Sequence, residues 1–187
     1  MTPNVLVPIA DGSEEIEAAC IIDVLRRAGA AVTVASVARL TVIFSRKVKW
    51  VADCTIGACV DRKWDLIALP GGMPGAEHLR DSTPLIALLD RQKKEGKYYA
   101  AICAAPAVVL KPHGLLPEGP ATAHPAFVER MEPHGIDDAP VVVHGNCITS
   151  RGPGTAIAFA LKLVELLWDR SHALAVAEPM VLLHPLA

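Results

Sequence analysis

Residues 98–110 read YYAAICAAPAVVL, an uncharged apolar run in which Cys103 separates two different halves. The first half, residues 98–102, is continuously apolar, which is typical of a strand buried on both faces of a parallel sheet. The second half predicts a helix, because small residues surround Cys103 and Pro106 stands in the first turn, where no hydrogen bond is lost. The sequence therefore predicts a strand-to-helix elbow with a cysteine at its corner.

The same alternation of apolar runs and helical stretches extends along most of the chain. Apolar runs rich in Val, Leu and Ile occupy residues 5–10, 32–36, 66–70 and 99–102. Helices are predicted at residues 14–28, 84–95, 104–111 and 155–169, with Gly29 and Gly96 ending the first two. Residues 38–60 predict a small antiparallel excursion, and residues 127–131 a short helix. Strands that alternate with helices indicate a parallel sheet with crossover helices.

Length and composition limit the classes of protein that fit. The 187 residues predict a single domain, residues 1–187, and 52% hydrophobic residues provide a large core. A net charge of −2 and a scarcity of aromatic residues argue against a nucleic-acid partner. The five cysteines include no CxxC pair, which argues against a disulfide framework and against a metal site. No apolar run is long enough to span a membrane, so we expect a cytoplasmic protein without membrane association.

The cysteine at the elbow is the first candidate for chemistry. The geometry is similar to the nucleophile elbow written G-x-S-x-G, with Ala101 and Ala105 as the small flanking residues. Unpaired N–H groups at a helix start favour a thiolate, so we expect a lowered pKa for Cys103. The alternative is an ordinary buried cysteine, since free cysteines are among the most buried residues.

Glu17 is the candidate acid. At ~100° per residue, Glu15 and Asp23 share the solvent face of the first helix, and Glu17 lies roughly opposite. A carboxyl group on the sheet-facing side should be poorly solvated and have a raised pKa, which would keep it protonated beside a thiolate. The alternative, an acid that complements the helix dipole, explains Glu14 and Glu15 better.

Other candidates follow the apolar runs, where ligands bind in open parallel sheets. Gly71 and Gly72 begin a glycine-rich turn whose N–H groups could hold an oxyanion, although a tight turn explains the same glycines. His124 follows a short apolar run and is the best histidine for proton transfer, although a lone histidine is more often structural. The segment 152–155 is the last of these positions.

Taken together, these motifs resemble the ThiJ/PfpI superfamily, specifically its DJ-one branch. The segments that carry the resemblance occur in the family's order and close to its spacing: EEIE at 14–17, LRRAG at 25–29, SR at 45–46, LPGG at 69–72, AICA at 101–104, TAHP at 122–125 and SRGPGT at 150–155. The resemblance covers nearly the whole chain. It implies a flavodoxin-like α/β sandwich of three layers, with helices on both faces of a mostly parallel, buried sheet, and a homodimer.

The resemblance also implies roles for individual residues. Cys103 matches the reactive cysteine, Glu17 the protonated acid that hydrogen-bonds it, and His124 a nearby histidine. Gly72 and Ala104 match backbone donors close to the thiolate. The arginines of the pocket region are matched by Arg46 and Arg151, and the loops of Gly71 and Pro153 line the same pocket.

For function, the resemblance implies a glyoxalase and deglycase that acts without metal or cofactor on 2-oxoaldehydes such as methylglyoxal, and on their protein adducts, in protection against oxidative and carbonyl stress. The residues are compatible with this chemistry, because a thiolate can add to an aldehyde and an acid can move the proton. The alternative is a redox-sensing chaperone whose Cys103 is oxidised to a sulfinate. A weaker alternative is a role in thiamine (thiazole monophosphate) biosynthesis.

Overall fold

The structure is a computed structural model that describes residues 2–132 and 136–182. A seven-stranded sheet with the order β5-β2-β1-β6-β7-β9-β8 forms its centre. Neighbouring strands are parallel except for β8 and β9. The strands of this sheet are β1 (Asn4–Ile9), β2 (Ala31–Ser36), β5 (Cys54–Thr55), β6 (Leu66–Leu69), β7 (Tyr98–Ile102), β8 (Val141–His144) and β9 (Cys147–Ser150). A separate hairpin pairs β3 (Thr41–Ile43) with β4 (Lys49–Val51).

Helices pack around the sheet and cover its apolar strands. They are α1 (Glu15–Arg27), α2 (Gly75–Arg80), α3 (Thr83–Glu95), a π-helix (Pro106–Leu110), α4 (Ala156–Leu167) and α5 (Arg170–Ala177). Helix α1 packs against α4, which also contacts α5, whereas α2 contacts α3 and the π-helix. Among the described residues, no helix is both long enough and apolar enough to cross a membrane.

The predicted parallel sheet with crossover helices is confirmed. Each of the four predicted strands lies within one residue of an observed strand, and β6 is buried along its whole length. The predicted antiparallel excursion contains the β3–β4 hairpin, although its last part, β5, joins the main sheet beside β2. The continuous hydrophobicity of these strands thus reflects burial on both faces of the sheet.

Several helix boundaries differ from the predictions. The helix predicted at residues 104–111 is a π-helix, Pro106–Leu110, and the one predicted at 127–131 is a 3₁₀ helix, Pro125–Met131. The helix predicted at 155–169 ends at Leu167, because Asp169 instead caps α5 by accepting a hydrogen bond from the N–H of His172. These differences change the local geometry but not the order of the elements.

The sheet positions the candidate residues because of its strand order. Strands β1, β6, β7 and β9 are consecutive neighbours and run parallel. Their carboxyl ends therefore lie along one edge of the sheet. The segments that follow these four strands contain Glu17, Gly71, Cys103 and Arg151, in that order.

Candidate active site

Cys103 occupies the turn between β7 and the π-helix. Its φ of 66° lies in the left-handed region, which is uncommon for a residue other than glycine. The backbone is held on both sides: the N–H of Cys103 donates to the carbonyl of Ser150 at 3.0 Å, and its carbonyl accepts from the N–H of His124 at 2.9 Å. The structure therefore has the elbow that the sequence predicts, and the end of β9 and the residue before the 3₁₀ helix support it.

Gly71 allows the loop after β6 to approach this elbow. A Cβ atom at position 71 would lie 2.7 Å from Cys103 Cβ and 2.8 Å from the carbonyl oxygen of Ile102. Real Cβ atoms do not approach other atoms so closely, so glycine is required by the close contact and not only by the turn. The same loop is joined to the start of α1, since the N–H of Glu14 donates to the Gly71 carbonyl at 3.0 Å.

Glu17 projects from the first turn of α1 into the same place. Its side chain is fully buried, and Oε2 accepts a hydrogen bond of 2.7 Å from the N–H of Gly71. The other oxygen, Oε1, is buried without a well-formed hydrogen bond to any described residue. The Cys103 thiol is nevertheless close enough for each group to shift the pKa of the other. The first helix therefore brings a carboxyl group to the cysteine.

Burial raises the pKa of Glu17 to about 7, against the opposing effect of the hydrogen bond from Gly71. Desolvation disfavours the charged form of a carboxyl group, which explains the direction of this shift. The negative charge of Glu14 adds to it. The sequence-based expectation of a poorly solvated acid with a raised pKa agrees with this geometry.

The expected lowering of the Cys103 pKa is wrong for a thiol that faces an ionised Glu17. Burial, followed by the charge of Glu17 and the hydrogen bond to it, raises the pKa of the thiol to about 12. Hydrogen bonds from the N–H groups of Gly72 and Ala104 act in the opposite direction but are weaker. Helix-start N–H groups alone, which motivated the prediction, do not outweigh burial next to a carboxylate.

The two groups therefore ionise as one unit. When Glu17 holds the proton, the charge that opposes the thiolate is gone, while the N–H groups of Gly72 and Ala104 remain. Two ionisable groups that interact this strongly lose their protons in steps that belong to the pair. Between the pKa values of Glu17 and Cys103, a single proton remains on the pair, and it lies mainly on the sulfur while Glu17 is ionised.

His124 lies beside the elbow but is not hydrogen-bonded through its ring to Cys103. Its Nδ1 accepts from the N–H of Ala126 at 3.2 Å, so a neutral ring carries its proton on Nε2. The ring borders a cavity of about 310 Å³ together with Pro140, Arg151, Pro153 and neighbouring residues. The structure thus connects His124 to Cys103 through the backbone and to the cavity through the side chain.

The two candidate arginines occupy different places. Arg151 borders the same cavity, and its guanidinium donates to the carbonyl of Asp138 at 2.9 Å. Arg46 is exposed on the turn of the β3–β4 hairpin and does not border this cavity. Its backbone N–H instead donates to Glu15 at 2.7 Å. The single chain therefore brings Arg151, but not Arg46, to the cavity beside His124.

Glu15 and Ser150 were missed by the sequence reasoning. Glu15 was placed on the solvent face of α1 but is buried, because its carboxylate accepts from Ser45 Oγ and from the N–H of Arg46. Although burial raises the pKa of Glu15, these hydrogen bonds hold it below its usual value. The carbonyl of Ser150 fixes the elbow, and the hydroxyl of Ser150 contacts Thr155 Oγ1 at 2.7 Å. The helical periodicity of the sequence cannot show either contact.

Comparisons with known proteins match most of the chain. The sequence model of the DJ-1/PfpI family matches residues 3–166. Protein DJ-1 homolog B of Arabidopsis thaliana is 49% identical over 178 residues, which is 95% of this chain and 41% of the relative. The chain thus spans less than half the length of that relative. A structure described as Toxoplasma gondii DJ-1, oxidized, superposes with a TM-score of 0.94 at 48% identity, covering 98% of this chain and 100% of the other.

A third relative has a name that states an activity. The Caenorhabditis elegans protein called glutathione-independent glyoxalase DJR-1.2 is 36% identical over 181 residues, which is 95% of each chain. The family match, the sequence relatives and the superposed structure all extend over most of the chain. They show that the chain belongs to the DJ-1/PfpI family.

Proposed function

We propose that the protein is a cysteine-dependent glyoxalase that converts 2-oxoaldehydes such as methylglyoxal to 2-hydroxy acids without metal or glutathione. The observation that carries the proposal is a fully buried carboxyl group, with its pKa raised to about 7, beside the Cys103 thiol. An acid with a pKa near neutrality can both accept and return a proton at that pH. The glyoxalase named among the relatives supports the substrate class.

The first step forms a bond between sulfur and the aldehyde carbon. As Cys103 Sγ attacks, its proton passes to Glu17 and the carbonyl oxygen becomes an oxyanion. The N–H groups of Gly72 and Ala104, which act on the sulfur in the free protein, would support this charge. Protonation of the oxyanion by Glu17 gives a hemithioacetal and leaves Glu17 ionised.

The second step moves a proton between adjacent carbons. Ionised Glu17 removes the hydrogen from the former aldehyde carbon, and the proton returns to the ketone carbon by way of an enediol. The first carbon is oxidised to a thioester while the second is reduced to an alcohol, so no external oxidant or reductant is needed. Water then attacks the thioester, which releases the hydroxy acid and restores the thiol. The same addition to sulfur would extend to protein adducts of these aldehydes.

Lactate formation from methylglyoxal by the purified protein, in the absence of glutathione, tests the proposal. We expect turnover by the native protein, complete loss in Cys103→Ser, and a loss of at least about 100-fold in Glu17→Gln, since general acid–base groups contribute roughly 10²–10⁴-fold. Cys54→Ser is the matched control, because Cys54 is a half-buried cysteine on the edge strand β5, with three strands between it and β7. Absence of lactate with the native protein, or full activity in Cys103→Ser, would contradict the proposal.

A redox-sensing role is the second candidate. The buried Oε1 of Glu17 has no well-formed hydrogen bond among the described residues, so a protonated Glu17 could donate to an oxidised Cys103. The relative from Toxoplasma gondii is described as oxidized, which supports this chemistry in a similar protein. Intact mass after mild peroxide treatment distinguishes this role: we expect two added oxygens on Cys103, and their absence would count against it.

A further inference from the structure

A pair of thiols lies at one edge of the sheet, away from the candidate active site. Cys54 is on β5, the edge strand, and Cys59 ends the 3₁₀ helix Ile56–Cys59 that follows. Three strands, β2, β1 and β6, separate β5 from the strand that precedes Cys103. The pair therefore has no part in the site described above.

The two sulfur atoms are in contact. Cys54 Sγ and Cys59 Sγ lie 3.6 Å apart, and both cysteines are free thiols. A disulfide bond has a length of about 2.0 Å, so the sulfurs would need to approach by about 1.5 Å. The segment between them is a short 3₁₀ helix and not part of a longer helix.

The backbone holds this contact in place. Cys54 pairs with Ala35 in the parallel ladder between β5 and β2. The carbonyl of Cys59 accepts two hydrogen bonds, from the N–H of Arg62 and from the indole N–H of Trp64, each at 3.2 Å. Both cysteines are thus fixed by neighbouring elements, so the proximity of their sulfurs does not depend on a mobile loop.

The environments of the two thiols differ in a way that suits sequential reaction. Cys54 is half-buried and reachable from solvent, whereas Cys59 is fully buried. Burial raises the pKa of Cys59 to about 12, and the contact with Cys54 adds to the shift, while the nearby charge of Arg62 opposes it. Accessible thiols react first with peroxides, and a buried neighbour can then complete a disulfide.

We propose that Cys54 and Cys59 form a second, reversible redox site, which hydroperoxides convert to an intramolecular disulfide independently of Cys103. Cys54 Sγ attacks the peroxide, so that an S–O bond forms, the O–O bond breaks, and water or an alcohol leaves with a proton. Cys59 Sγ then attacks the oxidised sulfur, so that the S–S bond forms, the S–O bond breaks, and a second water leaves. Two thiols lose two electrons in total, and the peroxide gains them.

The test treats the protein with hydrogen peroxide and analyses its tryptic peptides by mass spectrometry. Trypsin cuts after Lys49 and Arg62, so both cysteines occur in the single peptide 50–62. The full chain carrying Cys103→Ser, which removes the reactive cysteine of the other site, is treated with peroxide, unfolded in denaturant so that buried Cys59 is accessible, and then treated with a maleimide. We expect this peptide to lack two hydrogens and to take up no maleimide, and a prior dithiothreitol step to restore two maleimide additions.

Two matched variants distinguish the roles of the two cysteines. Cys59→Ser in the same background should leave Cys54 as a sulfenic acid that dimedone traps, whereas Cys54→Ser should leave Cys59 reduced and unlabelled by dimedone. Circular dichroism checks that each variant is folded, and the Cys103→Ser protein provides the primary result without either change. Full maleimide labelling of both thiols after peroxide, or a sulfinic acid on Cys54 beside a reduced Cys59, would overturn the proposal.

Discussion

At the scale of single residues, the site depends on a carboxyl group that folding removes from water. Glu17 is fully buried, and only one of its oxygens has a well-formed hydrogen bond among the described residues. Such a group destabilises the fold when it is charged. A carboxyl group in this position is understandable if the proton that it exchanges with Cys103 is needed for the reaction.

Replacing this acid should stabilise the protein at alkaline pH. The folded-state pKa of about 7 lies above the ordinary value of 4.5, so the folded protein binds the proton more tightly and loses stability as pH rises from 4.5 to 7. Glu17→Gln removes this loss, because the amide stays neutral and still accepts from Gly71. We expect a gain of about 3 kcal/mol at pH 8 and a much smaller one at pH 5.

Denaturant unfolding of the native protein and of Glu17→Gln at the two pH values measures this difference. Asp23→Asn provides the control, since Asp23 is an exposed acid on the same helix whose ion pair with Arg27 should contribute little. A gain that is equal at pH 5 and pH 8 would mean that the carboxyl group does not titrate as the structure indicates.

A methyl group at position 71 should disrupt the elbow. Gly71→Ala places Cβ 2.7 Å from Cys103 Cβ, so the loop after β6 or the elbow must move. We expect destabilisation of about 1–3 kcal/mol, typical of overpacking, together with slower alkylation of Cys103. Gly57→Ala is the control, because a Cβ there meets nothing within 4 Å. Equal stability of the two variants would contradict the close contact.

At the scale of elements, the order of the strands assembles the site. The segments that follow β1, β6 and β7 supply Glu17, Gly71 and Cys103, and the last residue of β9 fixes the cysteine backbone. Because these four strands are neighbours, residues distant in sequence meet at one edge of the sheet. The elbow sequence alone would not bring the acid to the thiol.

The hairpin is attached to α1 through one buried acid. Glu15 accepts from Ser45 Oγ at 2.8 Å and from the N–H of Arg46 at 2.7 Å. Glu15→Gln replaces charge-assisted hydrogen bonds by weaker ones, and the side-chain N–H₂ cannot accept. We expect about a tenfold faster amide exchange across residues 44–51, corresponding to a loss of about 1.4 kcal/mol, without a change in α3.

Hydrogen exchange read by mass spectrometry tests this prediction, with Glu14→Gln as the comparison, since Glu14 caps α1 and does not contact the hairpin. Equal protection of the hairpin in the native protein and in Glu15→Gln would show that the acid does not anchor it.

The sequence was sufficient to predict elements with a strong hydrophobic pattern. It was insufficient to predict features that depend on tertiary contacts. Continuous apolar runs predicted β1, β2, β6 and β7, because strands buried on both faces leave that pattern. The short β8–β9 hairpin was not predicted, although Gly145, with a φ of 60°, forms its turn. Glu17 was placed correctly because helix period alone determines its face, whereas Glu15 was misplaced because the hairpin covers the solvent side of its turn.

The electrostatics were predictable only in part. Burial of Glu17 follows from its position on the helix, so the direction of its pKa shift could be predicted. The pKa of Cys103 could not, because its direction depends on the distance to Glu17 and on the balance between that carboxylate and two N–H groups. When burial and charge raise a pKa and hydrogen bonds lower it, the direction of the net shift can be determined only from the atomic positions.

At the scale of the whole molecule, exposed apolar side chains occur both on α1 and on the hairpin. Ile16 of α1 is 53% exposed, and Val51 of β4 is 74% exposed. We propose that these elements form the interface of a homodimer, in agreement with what the sequence resemblance implies. Exposed Arg46, on the hairpin turn, would then lie at or near the partner subunit.

A charge at this surface should weaken the dimer. Val51→Glu would bury a carboxylate at the interface, and we expect association to weaken by about tenfold or more, since 1.4 kcal/mol corresponds to that factor. Val143→Glu is the control, because Val143 is 41% exposed on β8, away from the hairpin. Size-exclusion chromatography with light scattering gives the mass; a monomeric native protein, or an unchanged Val51→Glu dimer, would contradict the proposal.

The shared proton of Cys103 and Glu17 is tested most directly by the rate at which a neutral alkylating reagent labels Cys103 at each pH. Peptide mass spectrometry measures this rate without requiring turnover. We expect the rate to rise only well above pH 9, toward the raised thiol pKa of about 12, and the midpoint to move downward in Glu17→Gln, because the opposing charge of the carboxylate is removed. A midpoint near 9, the ordinary value for a thiol, that is the same in both proteins would contradict the account.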